Sequence, residues 1–162
     1  MERMMNVGIA LLLFLTAITS GTSWAAIGIT VTGTWIETID QSDLAGGPGS
    51  DLASTYESPA DQKTIDITST DGHQWRADIR KIDTNWHSGC HLFVRRTTDG
   101  SGTGWIDGGT SYQEITDTYQ SFFWGEEDRS GIHAQERLTG VSVQVPSDTY
   151  TTTVYYTVVQ TD

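Results

Sequence analysis

The stretch "IGITVTGTW", residues 27 to 35, alternates between two kinds of side chain along its length. Its even positions carry Gly28 and three threonines. Its odd positions form a face of apolar residues and one glycine: Ile27, Ile29, Val31, Gly33 and Trp35. Period-two alternation is typical of a β-strand with one buried face and one wet face. The stretch therefore predicts a strand, which we expect to continue to about Ile39.

The residues that precede this strand have the pattern of a secretory signal peptide. Two charged residues are followed by an apolar run at 7–17. The small residues Ser23 and Ala25 then occupy the −3 and −1 positions of a cleavage site before Ala26. The run is shorter than the ~20 residues that a membrane span needs. We expect residues 1–25 to be a signal peptide and residues 26–162 to be one domain. The domain would pass through the periplasm to the cell surface or the medium, with no inserted segment.

Charge and cysteine content restrict the partners and the stabilising chemistry. The chain has 21 acidic and 9 basic residues and a formal net charge of −12. Such a chain repels nucleic acids and anionic membranes, so neither is an expected partner. Cys90 is the single cysteine, which excludes an intrachain disulfide, and its position on an apolar face predicts that it is buried.

Further alternating segments recur along the chain, separated by clusters of glycine, aspartate, serine and proline. No window has the spacing of an amphipathic helix. A turn-rich stretch at 40–61 predicts a long surface connection. About eight short strands at close spacing predict an antiparallel sandwich. The core faces that we expect are Ile65 and Ile67; Trp75, Ala77 and Ile79; Cys90, Leu92 and Val94; Ile132 and Ala134, continued after a bulge near Gly140 by Val141, Val143 and Val145; and Tyr150, Thr152, Val154, Tyr156 and Val158.

Two short patterns contain residue types that bind metals. "HSGCH" holds His87, Cys90 and His91, but neighbours on a strand point to opposite faces, so we expect no metal there. Asp99 and Asp107 flank a glycine-rich loop, which lacks the alternate oxygen ligands and terminal glutamate of an EF-hand loop. We therefore expect no cofactor, with calcium as the alternative because the chain is acidic and exported.

No constellation of residues favours catalysis. Glu126, Glu127 and Asp128 in "WGEEDR" are clustered carboxylates, but neighbours in sequence do not establish the facing pair that glycoside hydrolysis requires, and we expect them at a polar hairpin tip. No G-x-S-x-G elbow and no phosphate-binding loop is present in the sequence. The prediction is a protein that is not an enzyme.

The tryptophans suggest a second function. Trp35 and Trp75 fall on faces that we expect to be buried. Trp86, Trp105 and Trp124 fall at strand ends or in loops, where aromatic rings can stack on sugars or pack between subunits. A secreted carbohydrate-binding or adhesin domain that uses Trp86, Trp105 or Trp124 is the alternative function.

The C-terminal run "GVSVQVPSDTYTTTVYYTVV", residues 140–159, resembles the end of spore-coat-U and fimbrial-type (pilin-like) subunits. Those families have a "P-x-G-T-Y" turn before a Thr/Val/Tyr-rich final strand, and Asp148 stands here in place of the glycine. Chaperone–usher pilins also carry a cysteine pair and a penultimate aromatic residue, where this chain has Thr161. The resemblance implies an immunoglobulin-like sandwich that assembles into filaments by strand donation between copies.

A donor strand adds to the edge of another subunit's sheet through main-chain hydrogen bonds and alternate side chains. The apolar face from Ile27 to Trp35 has the required alternation, with Gly33 as a small residue. We therefore expect a structural subunit of an extracellular filament, pilus or coat, with other copies of itself as partner. The same stretch could instead be the first strand of its own sandwich, and the residues leave both interpretations open.

Overall fold

The structure is a computed structural model that describes residues 5–9, 27–69 and 72–162, with residues 5–9 described by their backbone alone. Most of the predicted signal peptide and its cleavage site lie outside the described residues. In the described ranges, no helix is long and apolar enough to cross a membrane.

Strands account for nearly all the regular structure of the described chain, and a single 3-10 turn lies at Gln41–Asp43. The strands are β1 (Met5–Ile9), β2 (Ile27–Thr32), β3 (Ile36–Ile39), β4 (Thr55–Glu57), β5 (Lys63–Ser69), β6 (Gln74–Asn85), β7 (His91–Arg96), β8 (Ile106–Gly108), β9 (Gln113–Glu114), β10 (Gln120–Glu126), β11 (Arg129–Thr139) and β12 (Thr149–Gln160). The all-β prediction is confirmed. There are more strands than the eight expected because several have only two to four residues.

The strands form two sheets that enclose one hydrophobic core. Sheet 1 has the order β3-β1-β12-β6-β10-β8. Sheet 2 has the order β2-β5-β11-β7-β9, and β4 pairs separately with β11. Every described strand pair is antiparallel except β1 with β12, which is parallel. The arrangement confirms a β-sandwich.

The predicted core faces of most long strands are confirmed. The buried residues include Trp35, Ile65, Ile67, Trp75, Ala77, Ile79, Cys90, Leu92, Val94, Ile132, Ala134, Tyr150, Thr152 and Val154. Tyr156 and Val158 are partly buried and pack against the same core. Period two therefore identifies the core-facing side of each of these strands correctly.

Four local predictions differ from the structure. Residues 141–145 are not a strand, because the Val145 N–H donates to Ser142 O at 3.0 Å and closes a turn, which leaves Val143 51% exposed. The segment 40–61 is a connection as predicted, but it also contains the short strand β4. The carboxylates of "WGEEDR" lie where the chain passes from sheet 1 to sheet 2, instead of at a hairpin tip. The predicted strand from Ile27 to Ile39 is divided between β2 in sheet 2 and β3 in sheet 1.

Candidate functional site

The backbone segment β1 lies between β3 and β12 in sheet 1. It runs antiparallel to β3, with Met5 opposite Ile39, and parallel to β12, with Ile9 opposite Thr152. Within the described chain, β3 has no other strand partner. Because adjacent strands are about 4.8 Å apart, removing β1 would leave a gap one strand wide, about 10 Å, between β3 and β12. We call this position the strand slot.

The walls of the strand slot are ordered by contacts within the domain. On β12, the Tyr150 hydroxyl donates to Pro146 O at 2.8 Å, and the Thr152 hydroxyl donates to Ile82 O at 3.1 Å. On β3, Ile39 is buried in the core. Since these hydroxyls already have partners, the slot offers an incoming segment two backbone edges and an apolar interior. A tyrosine hydroxyl that bonds the backbone a few residues upstream also recurs in immunoglobulin-type sandwiches.

The predicted assembly strand lies in the chain's own sheet 2. β2 pairs antiparallel with β5, with Ile29 opposite Ile67 and Val31 opposite Ile65. Val31 is only 5% exposed, and Ile27 and Ile29 are partly buried against the core. β2 is also the outermost strand of its sheet, so only one of its edges is paired in this chain.

Gly33 lies where the chain leaves sheet 2 and crosses to sheet 1. Its φ is +108°, a conformation that residues with a side chain rarely adopt. A Cβ atom there would lie 2.0 Å from the Gln62 carbonyl oxygen. The small residue expected on this face is therefore required by a crossing within the domain. Beyond it, Trp35 is buried, and its indole N–H donates to Glu37 Oε2 at 3.1 Å.

The three tryptophans of the alternative function do not form one site. Trp86 is partly buried against the core, its indole N–H donates to Cys90 O at 2.8 Å, and it follows the end of β6. Trp124 is 38% exposed on β10 and pairs with Arg76 near the other end of β6. Ten residues of extended chain separate Arg76 from Trp86, which corresponds to about 33 Å. Trp105, which is 43% exposed, precedes β8, the strand beside β10.

Sequence reasoning missed two tyrosines on the outer face of sheet 1, the face that carries Arg80. The Arg80 guanidinium lies 4.6 Å from the ring centre of Tyr119 and 5.3 Å from that of Tyr155. The sequence carried a signal for Tyr155 only, because Tyr155 alternates with Val154 on β12 as Arg80 does with Ile79 on β6. That Tyr155 and Arg80 are Cα partners is shown by the structure alone.

The residues of "HSGCH" and the two aspartates of the glycine-rich loop have contacts other than a metal. Cys90 is buried, whereas His91 is exposed with its Nδ1 2.6 Å from Glu114 Oε1. The Asp99 carboxylate contacts the Arg96 guanidinium, and Asp107 Oδ1 accepts the Gly108 N–H at 2.8 Å. In the part of the chain that the structure describes, no three His, Cys, Asp or Glu residues are grouped as a metal site requires.

Two of the three carboxylates of "WGEEDR" accept hydrogen bonds from other segments of the chain. Asp128 Oδ1 accepts the Ser69 N–H at 2.6 Å, and the Glu127 carboxylate accepts the Thr103 hydroxyl. Glu127 also has a positive φ of 59°, as the sharp passage between sheets requires. These hydrogen bonds hold the turn between β10 and β11 against neighbouring segments of the domain.

Two charged residues that the sequence analysis left out are buried in the core. Lys63 on β5 is 1% exposed and Glu136 on β11 is fully buried, with Lys63 Nζ 3.3 Å from Glu136 Oε2. Period two could have placed them there, because Lys63 shares the face of Ile65 and Glu136 shares that of Ala134 and Leu138. Burial raises the pKa of Glu136, and the charge of Lys63 opposes that shift.

Comparison with known proteins identifies no relative: no family model, curated protein or solved structure that was compared matches the chain.

Proposed function

We propose that the mature protein is a non-catalytic structural subunit of an extracellular filament, pilus or coat, and that it assembles with copies of itself by β-strand complementation. The observation that carries the proposal is the strand slot. A segment from the predicted signal peptide completes sheet 1 between β3 and β12. Cleavage after Ala25 would remove that segment, and the exported domain would then lack one strand of its sheet.

An empty slot of this kind favours the binding of another strand. It exposes two rows of unpaired backbone groups, which are a template for another strand, and part of the apolar core, whose exposure to water is unfavourable. An extended segment from a second chain satisfies both at once, as in other cases of β-augmentation. Net charge of −12 keeps such subunits dispersed until their specific contacts form.

The donor that we propose is the segment Ile27–Val31 of a neighbouring copy. It has the same alternation as the segment that occupies the slot, and "IGI" at 27–29 corresponds to "VGI" at 7–9. As the outermost strand of sheet 2, β2 can leave β5 without dividing the sheet. Assembly would then be an exchange in which β2 leaves its own β5 and enters the slot of the next copy, where it restores a complete sheet 1.

The test uses the mature chain, residues 26–162, and two synthetic peptides. A peptide of residues 26–34 should bind the mature chain, raise its unfolding temperature and inhibit filament growth seen by electron microscopy. The same peptide with Ile29→Asp is the matched control and should do none of these. A mature chain that remains monomeric at high concentration and binds neither peptide would contradict the proposal.

The alternative function, carbohydrate binding, is favoured by the outer face of sheet 1 near Trp124. That face combines exposed aromatic rings with the Arg76–Asp78 pair, whose two hydrogen bonds of 2.7 and 2.8 Å hold a planar polar group in place. Rings and fixed polar groups are the chemistry that recognises sugars. Glycan-array binding by a monomeric mature chain, lost in Trp124→Ala and kept in Trp86→Ala, would favour this function over assembly.

A further inference from the structure

The contact between Lys63 and Glu136 places a nucleophile beside an electrophile in a dry interior. The two residues lie on neighbouring strands, because Lys63 pairs with Ala134, two residues before Glu136 on the same face. Diagonal neighbours of this kind are within reach of a long side chain. Both side chains are excluded from solvent, and the ammonium nitrogen lies 3.3 Å from the nearer carboxylate oxygen.

The polar surroundings of this pair are incomplete. Apart from the ammonium, neither oxygen of Glu136 has a hydrogen-bond partner among the described residues, and the buried hydroxyl of Tyr156 also lacks one. Lys63 Nζ donates one hydrogen bond, to Gly33 O at 2.9 Å. A fully desolvated ion pair is stabilising only when its remaining polar atoms are satisfied as well. The pair is therefore poorly stabilised as two charges.

We propose that Lys63 and Glu136 condense to form an intramolecular isopeptide bond between β5 and β11. In the dry core, transfer of a proton from the ammonium to the carboxylate gives a neutral amine and a neutral acid, the forms that low polarity favours. The Nζ lone pair attacks Cδ of Glu136 and forms a tetrahedral intermediate. The C–O bond to the hydroxyl then breaks, and the hydroxyl leaves with a proton from nitrogen as one molecule of water. No oxidant or other reactant is consumed.

The product suits the site better than the ion pair. The amide nitrogen keeps one N–H, which can continue to donate to Gly33 O, while both charges disappear from the core. The unpartnered Tyr156 hydroxyl is available to donate to the remaining carbonyl oxygen. Its pKa is raised well above the usual value by burial and by the charge of Glu136, so it stays a protonated donor. The bond would join strands that are 73 positions apart in sequence and would resist unfolding of sheet 2.

The test is the intact mass of the folded mature protein, followed by fragmentation of its peptides. The wild-type mass should be lower than the sequence mass by one water, and one branched peptide should contain both Lys63 and Glu136. Lys63→Met should have its full sequence mass. Lys81→Met is the matched control, since Lys81 pairs with Asp83 and not with Glu136, and this variant should still lose one water.

Asp-Gly sequences can also lose water by forming a succinimide, and the chain has three, at Asp71, Asp99 and Asp107. The fragmentation spectrum and the Lys63→Met variant separate that reaction from the isopeptide. If Lys63→Met does not fold, the branched peptide of the wild-type protein decides alone. A wild-type protein with the full sequence mass, or a water loss that persists in Lys63→Met, would overturn the proposal.

Discussion

Replacing Val31 with aspartate tests whether β2 belongs to the core of its own domain. Val31 is 5% exposed, lies opposite Ile65 and is part of the central apolar cluster. The substitution keeps the chain length of the strand and removes the apolar contact. It also places a carboxylate on the core-facing side of β2, where burial removes it from water. The isolated domain should therefore lose stability.

The expected loss follows from two contributions. Burial of a valine side chain contributes about 1.5–3 kcal/mol. Leaving a polar group buried without a partner costs a further ~1–3 kcal/mol. Together they give about 2.5–6 kcal/mol, a large fraction of the ~5–15 kcal/mol that stabilises a typical domain. With a urea m-value of about 2 kcal/mol/M, the unfolding midpoint should fall by roughly 2 M.

The measurement is urea unfolding of the mature chain, followed by tryptophan fluorescence. Thr32→Asp is the matched control, because Thr32 is the next residue on β2 and is exposed. It should shift the midpoint by less than about 0.3 M, since surface substitutions usually change stability by under ~0.5 kcal/mol. If Val31→Asp proves as stable as Thr32→Asp but no longer assembles, β2 is not docked on β5 in the free subunit, and the intramolecular pairing is wrong.

Four further predictions concern single positions. Gly33→Ala should destabilise the domain in urea unfolding. The strain of a φ of +108° alone costs about 1–3 kcal/mol, and the 2.0 Å approach of the new Cβ to Gln62 O adds to it. Tyr150→Phe should lower stability by about 0.5–1.5 kcal/mol, since it removes the hydrogen bond to Pro146 O. Burial raises the pKa of the Cys90 thiol, so alkylation monitored by mass should track unfolding and be negligible in the native protein. The N–H groups of Val143 and Leu52 lower the pKa of Asp51 in the folded protein. The contribution of Asp51 to folding stability should therefore be complete above its ordinary pKa of 3.8 and be lost as the pH falls through the lower pKa of the folded state. Asp51→Asn should therefore remove this part of the acid sensitivity in a pH series of unfolding midpoints.

Periodicity predicted the buried faces of the long strands because each of them turns one side toward the same core. It could not predict which sheet a strand joins. Three of the odd positions, Val31, Trp35 and Ile39, are buried, although the chain changes sheets between the first and the last of them. In a two-layer sandwich both sheets face one interior, so the alternation continues across the passage. Only the close approach at Gly33, which depends on the fold, marks the crossing.

The failure at residues 141–145 has a different physical cause. Val141, Val143 and Val145 alternate as well as any strand does, but the preceding Gly140 has a φ of +80° and directs the chain away from β11. The Val143 N–H then donates to Asp51 Oδ1 at 2.9 Å, a contact across 92 positions that local pattern cannot reveal. A tertiary hydrogen bond competes here with strand propensity and prevails.

The two candidate features of this domain differ in how far sequence could have revealed them. Lys63 and Glu136 lie on apolar faces that period two identifies, so their burial could be read from the residues, but their contact depends on the pairing of β5 with β11.

The strand slot leaves no signal of this kind, because a sheet that lacks a strand contains no residues to mark the gap. What the sequence offers is the repeated "VGI" and "IGI", and that repeat acquires a meaning only when one copy is found between β3 and β12. If both segments suit the same two edges, their relative affinities for the slot decide whether the precursor or the neighbouring subunit occupies it. The peptide experiment measures one of the two affinities, that of residues 26–34 for the mature chain.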